Sequence, residues 1–324
     1  MVMRFPSQSN LSRVKKLKIL LTGAGGMVGR NIVAHTKFAE RKFLIPPKNE
    51  LDLLKKTQVT AYLQDNKPDF IIHAAGIVGG INANINNPVR FLVENMQMGI
   101  NLLTAARDNN IKNLLNLGSS CMYPRDHNTK LTENMVLTGE LEPTNEGYAL
   151  AKIACAKLCE YINREDPSFQ YKTVIPCNLY GKYDKFDEQN SHMIPAVIRK
   201  IVAAIKENKN QVEIWGDGEA RREFMYAGDL ADFIFYAIDN FSKMPFNVNV
   251  GLGHDYTITE YYKVIANILG YKGTFIYNKS KPTGMRRKLI DNTLLSKFGW
   301  SNKTDLESGI RQTCEYFLNE NIND

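Results

Sequence analysis

Two short stretches hold residue types suited to carbonyl chemistry. Gly118-Ser119-Ser120-Cys121-Met122-Tyr123-Pro124 follows an apolar run, and Tyr148-Ala149-Leu150-Ala151-Lys152 lies about one helix further on. On a helix, Tyr148 and Lys152 at i and i+4 share a face. An ammonium there favours the phenolate and draws the tyrosine down from its usual ~10, so the phenol can give or take a proton near neutral pH. Ser119 would then hydrogen-bond the oxygen on which charge develops. A tyrosine and a lysine one turn apart are common by chance on helix surfaces. The Ser-Ser turn and a glycine-rich loop upstream set this pair apart.

The elements that must carry these groups can be read in chain order. Leu17 to Thr22 reads as a buried strand, and Gly23-Ala24-Gly25-Gly26-Met27-Val28-Gly29 turns into a helix beginning near Arg30. Glycines at 23, 26 and 29, with Met27 and Val28 between them, suit a dinucleotide loop: a tight turn, close approach to a pyrophosphate, and a helix packed on the strand. The second strand, Phe43-Leu44-Ile45, ends in Pro46-Pro47-Lys48-Asn49, where an NAD-binding chain would place an acid for the ribose 2′-hydroxyl. Lys48 stands there instead and favours NADP(H), with NAD(H) as the alternative. Asp52 and Leu53 follow, read either as contacts at the adenine edge or, for Asp52, as the cap of a helix from Leu53 to Asn66.

Asp69 to Gly76 is the next strand and its small-residue end. There Ala74 and Ala75 would let a cofactor's ribose and phosphate lie against the backbone, while His73, inside an apolar run, reads as a core histidine. The glycine-rich loop from Ile77 to Asn82 suits a sugar-facing turn. A helix follows from about Pro88 to Asn109, with Asn95 and Asn101 among apolar residues. Asn113 to Leu117, the fourth strand, delivers Ser119 at its carboxyl end, where open α/β sheets bind ligands. If strand geometry continues, Cys121 shares Ser119's face. Tyr171 to Ile175 is a further strand. The alternation predicts an α/β fold: a doubly wound parallel sheet, or Rossmann domain, with a smaller mixed α/β C-terminal substrate domain. The expected division is a flexible extension over 1–15, a dinucleotide domain mainly over 16–181 and a substrate domain mainly over 182–324, with interleaved segments. The second half reads as a helix to about Glu207, strands at Val212–Gly216 and Arg222–Tyr226, and a helix Leu230–Asn240 capped by Asp229.

Composition narrows the class. With 324 residues and 44% hydrophobic content, the chain can bury a sizeable core. No long apolar run suggests secretion or a membrane span, so a cytoplasmic protein is expected. Five cysteines without CxxC spacing suggest neither a disulfide framework nor a metal site. The net charge of +7 is scattered rather than blocked, which fits diphosphate-bearing ligands and leaves RNA binding as the minor alternative; neither nucleic acid nor a membrane is expected as partner.

Together these residues resemble the extended short-chain dehydrogenase/reductases and, within them, the GDP-L-fucose synthase family, whose members are NADPH-dependent GDP-4-keto-6-deoxy-D-mannose 3,5-epimerase/4-reductases. The resemblance runs from residue 17 to about 312. Its general part is the glycine loop, Ser119, Tyr148 and Lys152, and Arg222-Glu223-Phe224. Its specific part is Gly26-Met27-Val28-Gly29, Val78-Gly79-Gly80-Ile81, Gly118 to Pro124, Leu141 to Glu146, Asn178-Leu179-Tyr180-Gly181, Asn190-Ser191-His192, and Arg287-Lys288-Leu289 with Asp291. It implies that Cys121 and His192 carry an epimerisation. A C4 ketone acidifies both neighbouring carbons, and a thiol near ~8.5 and an imidazole near ~6.5 suit proton exchange at neutral pH. A buried cysteine and a helix-capping histidine are the alternatives for these two.

The resemblance also implies a GDP-linked 4-keto sugar as partner. Asn178 would lie near the sugar and diphosphate, Trp215 and Gly216 around the guanine, and Lys200, Arg222, Lys288 and Asp291 among the other substrate contacts, with Arg286 and Arg287 as solvated neighbours. A homodimer through helices 88–109 and 147–163 is implied too. The chain departs from the family pattern at Gly25, where an arginine is common, at Lys200, where the usual arginine would offer a bidentate fork, and at Gly147, where a proline is usual. The alternatives are a C4 reductase without epimerase activity, acting on a related sugar such as a heptose, and then a redox-neutral 4-epimerase or dehydratase, or a non-enzymatic dinucleotide sensor.

Overall fold

In Lys18-Ile19-Leu20-Leu21-Thr22 the three central residues are all apolar, as a strand covered on both faces requires. A computed structural model describes residues 16–127, 129–188, 191–281 and 284–320 and places this run as the strand β1 (Lys18–Thr22). The expected extension over 1–15 and Asn190 lie outside the described residues. After β1 come α1 (Met27–Ala34), β2 (Lys42–Leu44), α2 (Lys56–Asn66), β3 (Phe70–His73), α3 (Ile81–Asn86), α4 (Pro88–Asp108), β4 (Asn113–Leu117), α5 (Glu146–Glu165) and β5 (Gln170–Pro176). The chain continues through β6 (Asn178–Tyr180), α6 (Met193–Lys206), β7 (Gln211–Trp215), β8 (Arg221–Arg222), β9 (Phe224–Tyr226), α7 (Ala227–Asp239) and β10 (Asn247–Val250). It ends with β11 (Tyr256–Thr257), α8 (Ile258–Leu269), β12 (Thr274–Asn278), β13 (Arg287–Lys288), α9 (Thr293–Phe298) and α10 (Leu306–Glu320).

Six strands form one parallel sheet in the order β10-β5-β4-β3-β1-β2. This is the Rossmann-like, doubly wound arrangement, and the winding reverses between β1 and β3. The crevice at such a reversal lies beyond the carboxyl ends of the strands, here past Thr22 and His73, which are paired in register. Alternation along β1 sends Ile19 and Leu21 into one core, with Phe233 and Phe235 of α7, and Leu20 into another, with Leu102, Leu103, Cys155 and Cys159 of α4 and α5. A separate core joins α6, α8 and α10 through Ile194, Ile198, Ile265 and Ile310.

Three local expectations change. The helix expected from Leu53 starts at Lys56, because Asp52 Oδ1 accepts from Leu54 N (3.1 Å) and Asp52 O from Lys55 N (2.9 Å), a turn that uses both before the helix begins. The strand expected over Arg222–Tyr226 is split at Glu223, whose buried carboxylate accepts from Leu252 N (2.6 Å), Gly253 N (2.8 Å) and Ile290 N (3.0 Å). Asp229 is not the cap of α7. The helix begins at Ala227, and the Asp229 carboxylate instead accepts from Lys303 N, Thr304 N and Thr304 Oγ1, pinning the chain ahead of α10. Among the described residues no helix is long and apolar enough to cross a membrane.

Candidate active site

The strand β4 ends at Leu117 because Gly118 passes against Thr173, Val174 and Met122, leaving little room for a side chain. Ser119 then opens a 3-10 turn, Ser120–Met122, and its hydroxyl accepts from Cys121 N (3.2 Å). Strand geometry therefore does not continue to Cys121. The thiol reaches the same space as Ser119 through a helical turn. On α5, Tyr148 hydrogen-bonds Ser119 and lies edge-on to Phe91 at 6.4 Å. Burial pushes the Tyr148 phenol well above its usual value, a negative charge on Cys121 would push it further, and the bond to Ser119 only partly opposes them.

The expected lowering by Lys152 is not found. The Lys152 ammonium donates to Leu117 O at 2.8 Å and stands 5.8 Å from the Tyr148 ring centre, and its own burial draws it below the usual lysine value. Tyr148 is thus a protonated phenol at neutral pH, the form needed to donate. Cys121 is half-buried, with Asn145 Nδ2 at 3.2 Å and Lys288 Nζ at 3.5 Å from its sulfur.

His192 stands at the N-cap position of α6 but makes no side-chain capping bond. Its Nδ1 lies 3.9 Å from Asp184 Oδ1, and the Asp184 side chain is only 4% exposed. Gly80 brings the loop before α3 against this segment: a Cβ there would meet Ser191 O at 2.6 Å. The same helix packs on the Pro143–Asn145 turn that supplies Asn145 to the thiol.

The cofactor cradle fits a dinucleotide. Gly23 has φ +75°, and a Cβ on it would lie 2.6 Å from the Ala75 backbone; one on Gly29 would lie 2.5 Å from Ala24 Cα, so loop, α1 and the β3 end close on one another. The N-terminus of α1, at Gly26-Met27-Val28, carries no side-chain cap, which leaves backbone N–H groups for a phosphate. Ala74 and Ala75 lie at the end of β3, where Thr22 Oγ1 accepts from Ala75 N at 3.4 Å. Lys48 is exposed on the turn after β2. Asp52 Oδ1 accepts from Leu54 N in its own turn, and the Leu53 side chain packs in the core. His73 is a core histidine as read: its Nδ1 pairs with Thr22 Oγ1 at 3.0 Å, and burial, then Lys152, lowers it to about 3.

The substrate candidates fall into two groups. Asn178 donates to Glu223 O (3.1 Å), Arg222 is half-buried beside Glu142, and Lys288 lies opposite Arg222 in the pairing of β13 with β8. Trp215, Gly216 and Lys200 gather elsewhere: Lys200 Nζ and Lys281 Nζ lie 5.4 and 5.5 Å from the half-buried Trp215 ring, so Trp215 is no core residue. The Asp291 carboxylate accepts from Thr293 N at 2.8 Å, closing the turn that leads into α9. Arg287 is not merely solvated, since its guanidinium bonds Asp255 at 2.5 Å. A charged cavity of about 1080 Å³, lined by Arg125, Lys130, Glu142, Arg221 and Arg286 among others, opens beside Arg222 and not around Tyr148. Sequence reasoning missed Asn145 and Asp184. Asn145 lay inside a quoted motif; Asp184 gave no signal, because nothing in the spacing tells that it faces His192.

The NAD dependent epimerase/dehydratase family model matches residues 19–251. A GDP-L-colitose synthase of Yersinia pseudotuberculosis is 79% identical over 95% of this chain and 100% of its own length. A GDP-L-fucose synthase of Azorhizobium caulinodans is 45% identical over 95% of this chain and 98% of its own. Among solved structures, a GDP-mannoheptose C4 reductase from Campylobacter jejuni with NADP bound is 30% identical, covers 94% of this chain and 99% of its own, and superposes with a TM-score of 0.84. By its sheet, its glycine cradle and these matches, the chain belongs to the NAD dependent epimerase/dehydratase family.

Proposed function

We propose that this protein reduces C4 of a GDP-linked 4-keto deoxysugar with NADPH, coupled to proton exchange by Cys121 and His192 on the carbon or carbons beside the ketone. The observation that supports the reading is that the Ser120–Met122 turn, which carries Cys121, packs on α5, which carries Tyr148. Reduction alone needs the phenol but has no use for a thiol beside it.

When bound in the cradle formed by Gly23, Gly26, Met27, Val28, Gly29, Ala74 and Ala75, NADPH supplies the hydride that C4 receives. The chain's own groups do the rest. Cys121 and His192 remove and return protons on opposite faces of the sugar; Tyr148 protonates the C4 oxygen while Ser119 hydrogen-bonds it; Lys152, anchored on Leu117 O, supports the ribose side of the site. Arg222 offers a guanidinium to the diphosphate, with Asn178 beside the sugar and Lys200, Trp215 and Gly216 toward the guanine.

The 79% identity favours a colitose-type product. Colitose lacks hydroxyls at C3 and C6, so its formation by this route calls for inversion at C5 only; the fucose-type substrate, inverted at both C3 and C5, is the second reading. The Campylobacter jejuni neighbour supports NADP(H). We also propose a homodimer. On α4, Val89, Val93 and Ile100 are exposed, and on α5 Leu150 and Tyr161, forming apolar stripes on faces turned away from the core.

The test is incubation of the enzyme and NADPH in D2O with GDP-4-keto-3,6-dideoxymannose and, separately, GDP-4-keto-6-deoxymannose. Cofactor oxidation with deuterium at C5 of the dideoxy product is expected, at a kcat/KM above that for the second substrate. Oxidation without label would make the protein a C4 reductase of the heptose-enzyme kind, and no oxidation of either sugar would overturn the proposal.

A further inference from the structure

The surroundings of the Cys121 sulfur are unusual for a cysteine that merely fills space. Of the five cysteines, Cys155, Cys159, Cys177 and Cys314 are buried, and Cys121 alone is half-exposed. Two donors converge on its sulfur, Asn145 Nδ2 at 3.2 Å and Lys288 Nζ at 3.5 Å. An ammonium has three donors and no acceptor, so it can satisfy a sulfur anion but cannot accept from an S–H. Ser119, whose hydroxyl accepts from Cys121 N, and the neutral Tyr148 phenol also stand near the sulfur. The Glu223 carboxylate lies within reach of Cys177, the same buried thiol that Lys288 acts on.

Lys288 is held for this contact by the fold. Its side chain is buried, with the residue 7% exposed, and β13 is fixed by parallel pairing with β8, Lys288 against Arg222. Leu289 O accepts from Leu131 N at 2.9 Å just beyond it. A lysine reaching for a diphosphate in solvent needs no such anchoring.

We propose that Lys288 is the positioning residue that holds Cys121 as its thiolate, with Asn145 as second donor, rather than serving only as a diphosphate contact. The proposal rests on the reading of Cys121 as a proton-exchange group. In that step the thiolate takes the proton from the carbon next to the C4 ketone, the C–H electron pair becomes the enolate, and the thiol formed returns a proton in the reverse direction. Lys288 Nζ, 3.5 Å from the sulfur, offsets the charge that the sulfur carries in this step and is not consumed.

The experiment is alkylation by iodoacetamide at pH 7 of the full-length protein with NADP present and no sugar, following the Cys121 peptide by mass spectrometry. The thiolate alone is the nucleophile, so Lys288→Met should slow alkylation at least tenfold, whereas Lys288→Arg, which keeps a donor cation, should restore most of the rate. Lys288→Gln repeats the test should the methionine variant not fold, and fluorescence titration with NADPH certifies each variant. Alkylation at the parental rate in a folded neutral variant overturns the proposal; if GDP affinity falls at the same time, Lys288 belongs to the diphosphate alone. The parent reading is tested separately, by deuterium incorporation in Cys121→Ser. If label still enters there, the exchange role of Cys121 falls, while the alkylation rates still decide whether Lys288 holds the thiolate.

Discussion

Tyr148 is the residue on which the reductive half of the chemistry depends, and its protonation follows from where its neighbours point. Burial raises the phenol, as does a negative charge on Cys121, and Lys152 does not reverse this because its ammonium is bonded to Leu117 O. Tyr148→Phe removes the donor without changing the ring. We expect kcat to fall by about 10²- to 10⁴-fold with GDP-sugar binding near parental, read by steady-state kinetics and by titration; an equal loss in both would remove Tyr148 from the chemistry. The residue types of this set could be read from the chain, since a tyrosine and a lysine one turn apart after a Ser-Ser turn have few other joint uses. The direction of a four-carbon lysine stem could not, because i and i+4 spacing fixes a face and not a partner. His73 makes a second prediction at this scale. Its imidazole is held neutral down to about 3 against an ordinary 6.5, so between these values the unfolded chain binds a proton that the fold does not. Stability must then rise with pH through that window and fall on acidification, by about 2 kcal/mol between pH 7 and 5. Urea titrations at the two pH values should show this drop, and His73→Gln should shrink it.

At the level of elements, the site depends on how closely α4 and α5 pack, since α5 carries Tyr148 and Lys152 while Asn95 on α4 clamps the loop after β3 through Ile77 N (2.8 Å) and Ile77 O (3.1 Å). The crossing is set at Gly99, where an added Cβ would overlap the Cys155 sulfur but lie 3.4 Å from the Cys155 Cβ, an ordinary contact. Gly99→Ala should therefore destabilise by about 1–3 kcal/mol, even though alanine is the better helix former by about 1 kcal/mol. Adding Cys155→Ala should recover most of that loss, a coupling that thermal unfolding of the four proteins in a double-mutant cycle would measure. Additive losses would show that Gly99 serves something other than the sulfur. The two helices themselves were evident from their apolar periodicity, and the strands from their apolar runs. What escaped was local: the start of α2, because Asp52 and Leu54 close a turn where the pattern is already apolar, and the path to Cys121, because a 3-10 turn, in which residues three apart eclipse, replaces the strand alternation on which the shared face was read.

Across the whole molecule, the chain after residue 181 does not stay apart from the sheet. The strand β10 joins its edge beside β5, α7 packs on α1, and Asp229 ties back to Lys303 and Thr304. Such returns are invisible in hydropathy, since a strand of Asn247-Val248-Asn249-Val250 carries no mark of the sheet it will enter. Glu223 is the group through which they meet the site. Its carboxylate accepts three backbone N–H groups, from the segments just after β10 and β13, and its carbonyl oxygen accepts from Asn178 Nδ2. Glu223→Gln keeps the size but turns one acceptor oxygen into a donor, so at least one buried N–H must lose its partner. The expected cost is about 1–3 kcal/mol, seen as a lower Tm. Because the loosened segment carries Arg222 and Lys288 and not the glycine cradle, KM for the GDP-sugar should rise several-fold while the Kd for NADPH stays near parental. A fall in NADPH affinity of the same size would mean that Glu223 braces the whole fold evenly, and that the substrate-binding strands have no hinge of their own.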